Sequence, residues 1–161
     1  MAIKGARPDE RRVVAHLMVR DAAKSLDWYK QALGAVELYR STLPDGRVFH
    51  AQMKVGESVV MMTDEAMSAT GRGPVPTKSP QTLAGTSVIM EMYVDDVDAA
   101  YQRAISAGAK VICPLMDTFF GDRYGQVIDP FGHAWAIATV REWLTPEDVA
   151  KRLAARMGAA R

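Results

Sequence analysis

The sequence predicts an α+β domain of two βαβββ modules, which form a cupped mixed sheet and are followed by a C-terminal helix. Each of two amphipathic helical stretches has one β-branched strand before it and three strands after it. The halves also repeat at an offset of 75 residues, because Val19-Arg20-Asp21 matches Val94-Asp95-Asp96. The predicted parts are a polar arm (1–12), module one (13–63), a linker (64–86), module two (87–140) and a helical appendage (141–161).

Module one begins with a strand over 13–19, and Asp21 then stands at the N-cap of a helix over 22–33. Gly34 ends this helix. The buried face of the helix is marked by apolar residues at helical spacing: Ala22, Leu26, Tyr29 and Leu33. Three strands follow, over 36–42, 47–55 and 58–63, and a Pro-Asp-Gly turn joins the first two.

Residues 64–86 are rich in Gly and Pro and predict a long irregular linker. The pattern then starts again with a strand, a capped helix and three strands, over 87–94, 96–107, 110–115, 121–128 and 133–139. Each module covers one sheet face with its helix, so two modules are expected to curl their free faces into a shared cup. A final helix opens at Thr145-Pro146 and is expected to be a surface appendage or an oligomer contact.

Composition argues against several classes of partner. The net charge is +1 with acidic and basic residues interspersed, which gives no electrostatic footprint for nucleic acid or an anionic membrane. No apolar run approaches the roughly 20 residues that span a bilayer, and the polar start lacks a signal region. The lone Cys113 has apolar neighbours and predicts a reducing compartment and an inert, buried thiol. We therefore expect a cytoplasmic protein that binds neither nucleic acid nor membrane.

Five short motifs carry a resemblance to a known family. They are Gly121-Asp122-Arg123-Tyr124-Gly125, Asp129-Pro130-Phe131-Gly132-His133-Ala134-Trp135, Leu26-Asp27-Trp28-Tyr29, Pro44-Asp45-Gly46-Arg47-Val48 and Lys78-Ser79-Pro80-Gln81. With them the chain resembles the PhnB-like branch of the glyoxalase/bleomycin-resistance protein/dioxygenase (vicinal oxygen chelate, VOC) superfamily. The resemblance implies the glyoxalase/bleomycin-resistance fold, a cup that binds a small molecule, and a homodimer.

The resemblance also implies where a metal would bind. Metal-dependent members place a His, Gln or Glu ligand on the first and last strand of each module. The matching positions here are Val14, Met61, Ile89 and Ala136, and none carries imidazole, carboxylate or thiolate. We therefore expect no metal and no cofactor, with these four residues as ligand contacts. Glyoxalase I, fosfomycin-type transferase and extradiol dioxygenase activities are disfavoured.

Two polar residues are predicted to face the cup. Side chains alternate along a strand, so His16 shares a face with Val14, and Glu91 shares one with Ile89. They fit an acid/base or ligand-anchoring pair, which makes them the candidate catalytic residues. They equally fit a structural hydrogen bond across the module seam, and a register shift of one residue would expose both.

A further candidate depends on the register of the last turn. If that turn pairs Ile128 with His133, Arg123 faces the cup and is placed to bind an anionic group of the ligand. A shift of one residue gives that place to Asp122 and Tyr124 instead.

The sequence favours a metal-independent binding protein that holds a small, partly aromatic or antibiotic-like molecule in an apolar cup. The alternative is a glyoxalase-like lyase or isomerase, or a dioxygenase, with His16 and Glu91 as acid and base or as non-standard ligands of a divalent metal. A dimeric scaffold with an occluded cup is a third hypothesis. No phosphate loop, nucleophile motif or dinucleotide fingerprint supports other chemistry.

Overall fold

The computed structural model describes residues 13–68 and 77–159, and it confirms the α+β class. Two four-stranded mixed sheets, one from each half of the chain, are packed with helices. The predicted N-terminal arm lies outside the described residues.

Module one forms the first sheet, and its elements keep close to the predicted boundaries. They are β1 (Ala15–Val19), α1 (Ala22–Leu33), β2 (Val36–Thr42), β3 (Val48–Val55) and β4 (Ser58–Asp64). The strand order is β1-β4-β3-β2, with β1 parallel to β4 and the other neighbours antiparallel.

Module two repeats this topology with the strand order β5-β8-β7-β6. Two short helices precede it in the segment predicted to be irregular: α2 (Glu65–Ser68) and α3 (Pro80–Leu83). Its own elements are β5 (Ile89–Tyr93), α4 (Val97–Ser106), β6 (Lys110–Asp117), β7 (Asp122–Ile128) and β8 (Ala134–Val140). The final helix α5 spans Pro146–Ala159, and no helix in the described ranges is long and apolar enough to cross a membrane.

The module helices α1 and α4 begin in the same way. The carboxylate of Asp21 accepts a hydrogen bond from Lys24 N, and that of Asp96 accepts one from Ala99 N, each at 3.0 Å. Both residues therefore satisfy a backbone donor at a helix start, as predicted. Helix α1 ends at Gly34, whose φ of 67° is left-handed and favours glycine.

The core lies between the helices and one face of each sheet. Large side chains at its centre are fully buried, including Leu26, Met53, Met62, Val127 and Ile137. Burying each such side chain contributes about 1.5 to 3 kcal/mol. These residues belong to one cluster that includes both modules, so the halves share a core.

A buried carboxylate in the last turn joins the modules. Asp129, only 4% exposed, accepts hydrogen bonds from the Tyr29 hydroxyl of α1 (2.6 Å) and from Trp135 Nε1 (3.0 Å). It also accepts from the backbone N–H groups of Phe131 and His133, both at 2.9 Å. The Asp-Pro-Phe-Gly-His motif is thus explained by the joint between the modules.

Three more hydrogen bonds cross this joint. Trp28 Nε1 donates to Ala107 O at 2.7 Å. Arg103 Nε donates to Ala32 O at 3.0 Å. His133 Nε2 lies 3.2 Å from Met18 O, and burial lowers the pKa of this imidazole.

Candidate functional site

Each sheet has one face turned away from the helix of its own module, which we call the open face. On β1 the core side chains are Leu17 and Val19, so the alternating residues His16 and Met18 belong to the open face. On β8 the core side chains are Trp135 and Ile137, and three small residues line the open face: Ala134, Ala136 and Ala138. The open faces are where a ligand can reach the sheets.

His16 is anchored on the open face of module one. Its Nε2 lies 2.8 Å from the Thr63 hydroxyl, and that hydroxyl donates its own hydrogen to Phe49 O at 3.2 Å. The Nε2 atom must therefore carry the proton and donate, which leaves Nδ1 as an acceptor. Within the described residues, Nδ1 has no hydrogen-bond partner.

A second imidazole lies beside the first. The rings of His16 and His50 are 5.5 Å apart between centroids and nearly perpendicular. Partial burial, and then the charge of His50, lower the pKa of His16 below its usual 6.5. His16 is therefore mostly neutral at neutral pH, and its free nitrogen can accept a proton.

A cavity of about 550 Å³ opens beside these histidines, and we call it the β2–β3 cavity. Its lining residues are Tyr39, Ser41, Phe49, His50 and Gln52. Gln52 Nε2 lies 3.3 Å from His50 Nε2, which fixes both polar groups at the wall of the cavity. His50 and Gln52 alternate with buried residues of β3 and share its partly exposed face.

The open face of module two carries different chemistry. Tyr93 donates to Asp122 at 3.1 Å. Partial desolvation, with the carboxylates of Asp122 and Glu91, raises the pKa of Tyr93 to about 12. Gln126 and Tyr124 are hydrogen-bonded to one another. These groups surround Ala136 and Ala138, which are fully covered.

A second cavity, of about 530 Å³, lies between this face and α5, and we call it the α5 cavity. Module two contributes an aromatic and thioether wall: Met116, Phe119, Phe120 and Tyr124. Helix α5 contributes Leu153, Arg156 and Met157. Cys113 also lines the cavity and is only partly buried, so the prediction of a buried thiol is wrong.

His16 and Glu91 do not meet within the described chain. Both belong to open faces, but His16 contacts Thr63 and His50, whereas Glu91 lies near Tyr93. The two cavities are likewise separate: the β2–β3 cavity is lined by module one, and the α5 cavity by module two together with α5. A shared acid/base pair of His16 and Glu91 is therefore not formed within residues 13–68 and 77–159.

The predicted place of Arg123 in the cup is wrong. In the last turn Asp129 N donates to His133 O at 2.9 Å, so the next strand pair is Ile128 with Ala134. This one-residue shift turns Arg123 towards α4, where its guanidinium binds Asp98 at 2.7 and 2.8 Å. Asp122 belongs to the open face instead, as the alternative register predicts.

The four positions that match the family's metal ligands do not fit a metal. Val14 is a half-buried hydrocarbon, Ile89 is exposed and Ala136 is fully buried. Met61, opposite Gln52 on β3, offers only a thioether. In residues 13–68 and 77–159, no three His, Cys, Asp or Glu side chains gather where they could hold a metal.

The contribution of α5 to the lining of the α5 cavity was not predicted from the sequence. The signal was present, because Val149, Leu153 and Met157 recur at intervals of four and mark an apolar helix face. The sequence alone did not indicate which surface that face meets.

Comparisons with known proteins agree with this fold. A model described as the Glyoxalase/Bleomycin resistance protein/Dioxygenase superfamily matches residues 12–137. An uncharacterized protein of Mycobacterium bovis is 44% identical over 128 residues, covering 79% of this chain and 82% of the relative. An uncharacterized protein of Arabidopsis thaliana is 27% identical over 156 residues, covering 92% and 93%.

Solved structures show the same architecture. TioX from Micromonospora sp. ML1 superposes with a TM-score of 0.62 at 25% identity, covering 83% of this chain and 99% of that one. A PhnB protein from Bacillus cereus gives a TM-score of 0.57 at 16% identity, covering 80% and 99%, which is a likeness of fold alone.

Proposed function

Because the chain belongs to the Glyoxalase/Bleomycin resistance protein/Dioxygenase superfamily, we propose that it is a cytoplasmic protein that binds a small, partly aromatic molecule on its open sheet faces. One observation carries this proposal: each open face has a cavity of ligand size, about 550 Å³ in module one and about 530 Å³ in module two. Pockets for small molecules usually measure about 300 to 1,000 Å³.

Binding without the family's metal is part of the proposal. Val14, His16, Met61, Ile89 and Glu91 remain proposed ligand contacts on the open faces, outside the linings of the two cavities. Ala136 is fully buried, so the prediction that it contacts the ligand is wrong. None of Val14, Met61, Ile89 and Ala136 offers a hard or borderline donor. The chemistry of these side chains supports a ligand held by shape, apolar contact and hydrogen bonds.

Ligand screening with metal analysis tests the proposal. A panel of small aromatic compounds is added to tag-free protein, and the melting temperature is measured. A ligand at a hundred times its Kd stabilises the fold by about 2.7 kcal/mol, which is a clear rise in Tm. Elemental analysis should find almost no bound metal. No stabilising compound in a broad panel, or one tightly bound ion per subunit, would contradict the proposal.

We also propose a homodimer that covers the open faces. Apolar side chains are exposed on both sheets, among them Leu38 and Tyr39 of β2 and Ile89 and Tyr93 of β5. Monomers rarely expose large contiguous apolar patches. Sedimentation velocity should detect a dimer, and Ile89→Lys should shift it towards monomer. A wild-type chain that stays monomeric at high concentration would refute this.

A second candidate function is proton transfer by His16, and the unpartnered Nδ1 of its neutral ring favours it. The test uses a compound that the screen identifies. Mass spectrometry follows its conversion by wild type, His16→Ala and Glu91→Gln. We expect His16→Ala to abolish turnover while Tm still rises with the ligand. Turnover that persists in His16→Ala would exclude this role.

A further inference from the structure

The α5 cavity combines apolar walls with a single positive charge. Phe119 and Phe120 are 5.2 Å apart between ring centroids, and Phe120 and Tyr124 are 6.1 Å apart, with both pairs edge to face. Met157 of α5 adds an adaptable thioether wall. Such walls favour a flat aromatic ring.

Arg156 is the charged residue in this lining. Within the described residues it has no hydrogen bond and no ion pair, whereas Arg152, one turn earlier, binds Glu142 at 2.8 and 2.9 Å. A guanidinium offers five donors and prefers to bind carboxylates through two parallel hydrogen bonds. At the edge of an apolar cavity it selects for an anionic group.

We propose that the α5 cavity binds an aromatic acid, with the ring against Phe120, Tyr124 and Met157 and the acidic group on Arg156. This inference rests on the proposed small-molecule binding and specifies its ligand class and place. It also gives α5 a role, since the helix supplies the charged side chain among the residues that line this cavity.

Cys113 provides a direct readout of whether the α5 cavity is occupied. It is the only cysteine in the sequence, and it lines the α5 cavity while partly exposed. Its rate of modification by a thiol reagent such as dithionitrobenzoate therefore reports whether this cavity is occupied. A ligand in the β2–β3 cavity would leave that rate unchanged.

The probe is anilinonaphthalene sulfonate, an aromatic anion whose fluorescence rises in apolar sites. We expect it to bind the full chain and to slow modification of Cys113 severalfold. Arg156→Gln should weaken probe binding about tenfold or more, because a charge-assisted pair is lost. Lys151→Gln is the matched control: it removes one positive charge from an exposed position of α5 and should leave binding unchanged.

Several outcomes would overturn this inference. They are the absence of probe binding, bound probe that leaves Cys113 unprotected, and equal affinities for Arg156→Gln and Lys151→Gln. Cys113 that reacts only in urea would show that the cavity is closed, and would overturn it as well. The proposed function survives each result if the compound screen still finds a ligand whose binding depends on Gln52.

Discussion

Module one and module two place different side chains on the same backbone frame. Gln52 lies opposite Met61, and Gln126 lies opposite Ala136, at equivalent points of the two sheets. Each glutamine contacts the residue two positions before it, which is His50 for Gln52 and Tyr124 for Gln126. Each amide thus holds a different polar ring at the same place.

The difference extends across both open faces. His16 of β1 corresponds to Glu91 of β5 at the repeat offset, so an imidazole in one module stands where a carboxylate stands in the other. The β2–β3 cavity has the polar groups of Ser41, His50 and Gln52 in its lining, and the α5 cavity is walled by aromatic rings and α5. The repeat has kept the frame and has changed the chemistry, so the two faces would offer different contacts to the proposed ligand.

The largest expected effect is on the free energy of unfolding and concerns the turn before the last strand of each module. Module two has the buried Asp129 in this turn, whereas module one has Glu57 in an exposed two-residue turn. Asp129→Ala strands the Tyr29 hydroxyl and Trp135 Nε1, so the free energy of unfolding should fall by about 3 to 5 kcal/mol. Urea denaturation measures it. Glu57→Ala should cost no more than about 0.5 kcal/mol. Equal losses would show that the last turns are energetically alike.

A smaller difference in the free energy of unfolding is expected at the end of each module's last strand, where a side chain accepts a hydrogen bond from the first residue of the module's helix. Asp64 accepts from Ala22 N and from Val48 N, both at 2.7 Å, while its equivalent Thr139 accepts from Val97 N at 3.1 Å. Asp64→Ala leaves two buried donors and should cost about 2 to 4 kcal/mol. Thr139→Ala leaves one backbone donor without its partner and should cost about 1 to 2 kcal/mol. The same urea measurement ranks them, and a larger loss for Thr139→Ala would reverse the comparison.

The smallest expected effect is on the pKa of His16. His50 helps to lower the pKa of His16, because two imidazolium charges repel. His50→Gln should therefore raise the pKa of His16 towards its usual value, as measured by NMR titration of the ring protons. Tyr124→Phe, the equivalent site in module two, should leave it unchanged. An unaltered His16 pKa in His50→Gln would mean that burial alone sets it.

The element pattern could be predicted because it follows local rules. Apolar spacing located α1, and the two capping residues Asp21 and Asp96 located both helix starts within one residue. The repeat then predicted that β1 and β5 hold equivalent places, and it identified which side of each strand faces away from the core.

The site was less predictable because it depends on contacts distant in sequence. Arg123 was misplaced since a hydrogen bond inside the Asp129–His133 turn sets the strand register. His16 and Glu91 were paired by symmetry, but the partners of His16 come from β3 and β4. Cys113 is partly exposed because β6 lines a cavity, which its apolar neighbours did not indicate.

The joint between the modules has a consequence for how the chain melts. Tyr29, Trp28 and Arg103 each bond to a group in the opposite half, and the carboxylate of Asp129 is buried with its donors. Neither half can open alone without leaving such groups unsatisfied, and both share one apolar cluster. A calorimetric scan is therefore expected to show one cooperative transition, in which two duplicated halves behave as a single thermodynamic unit.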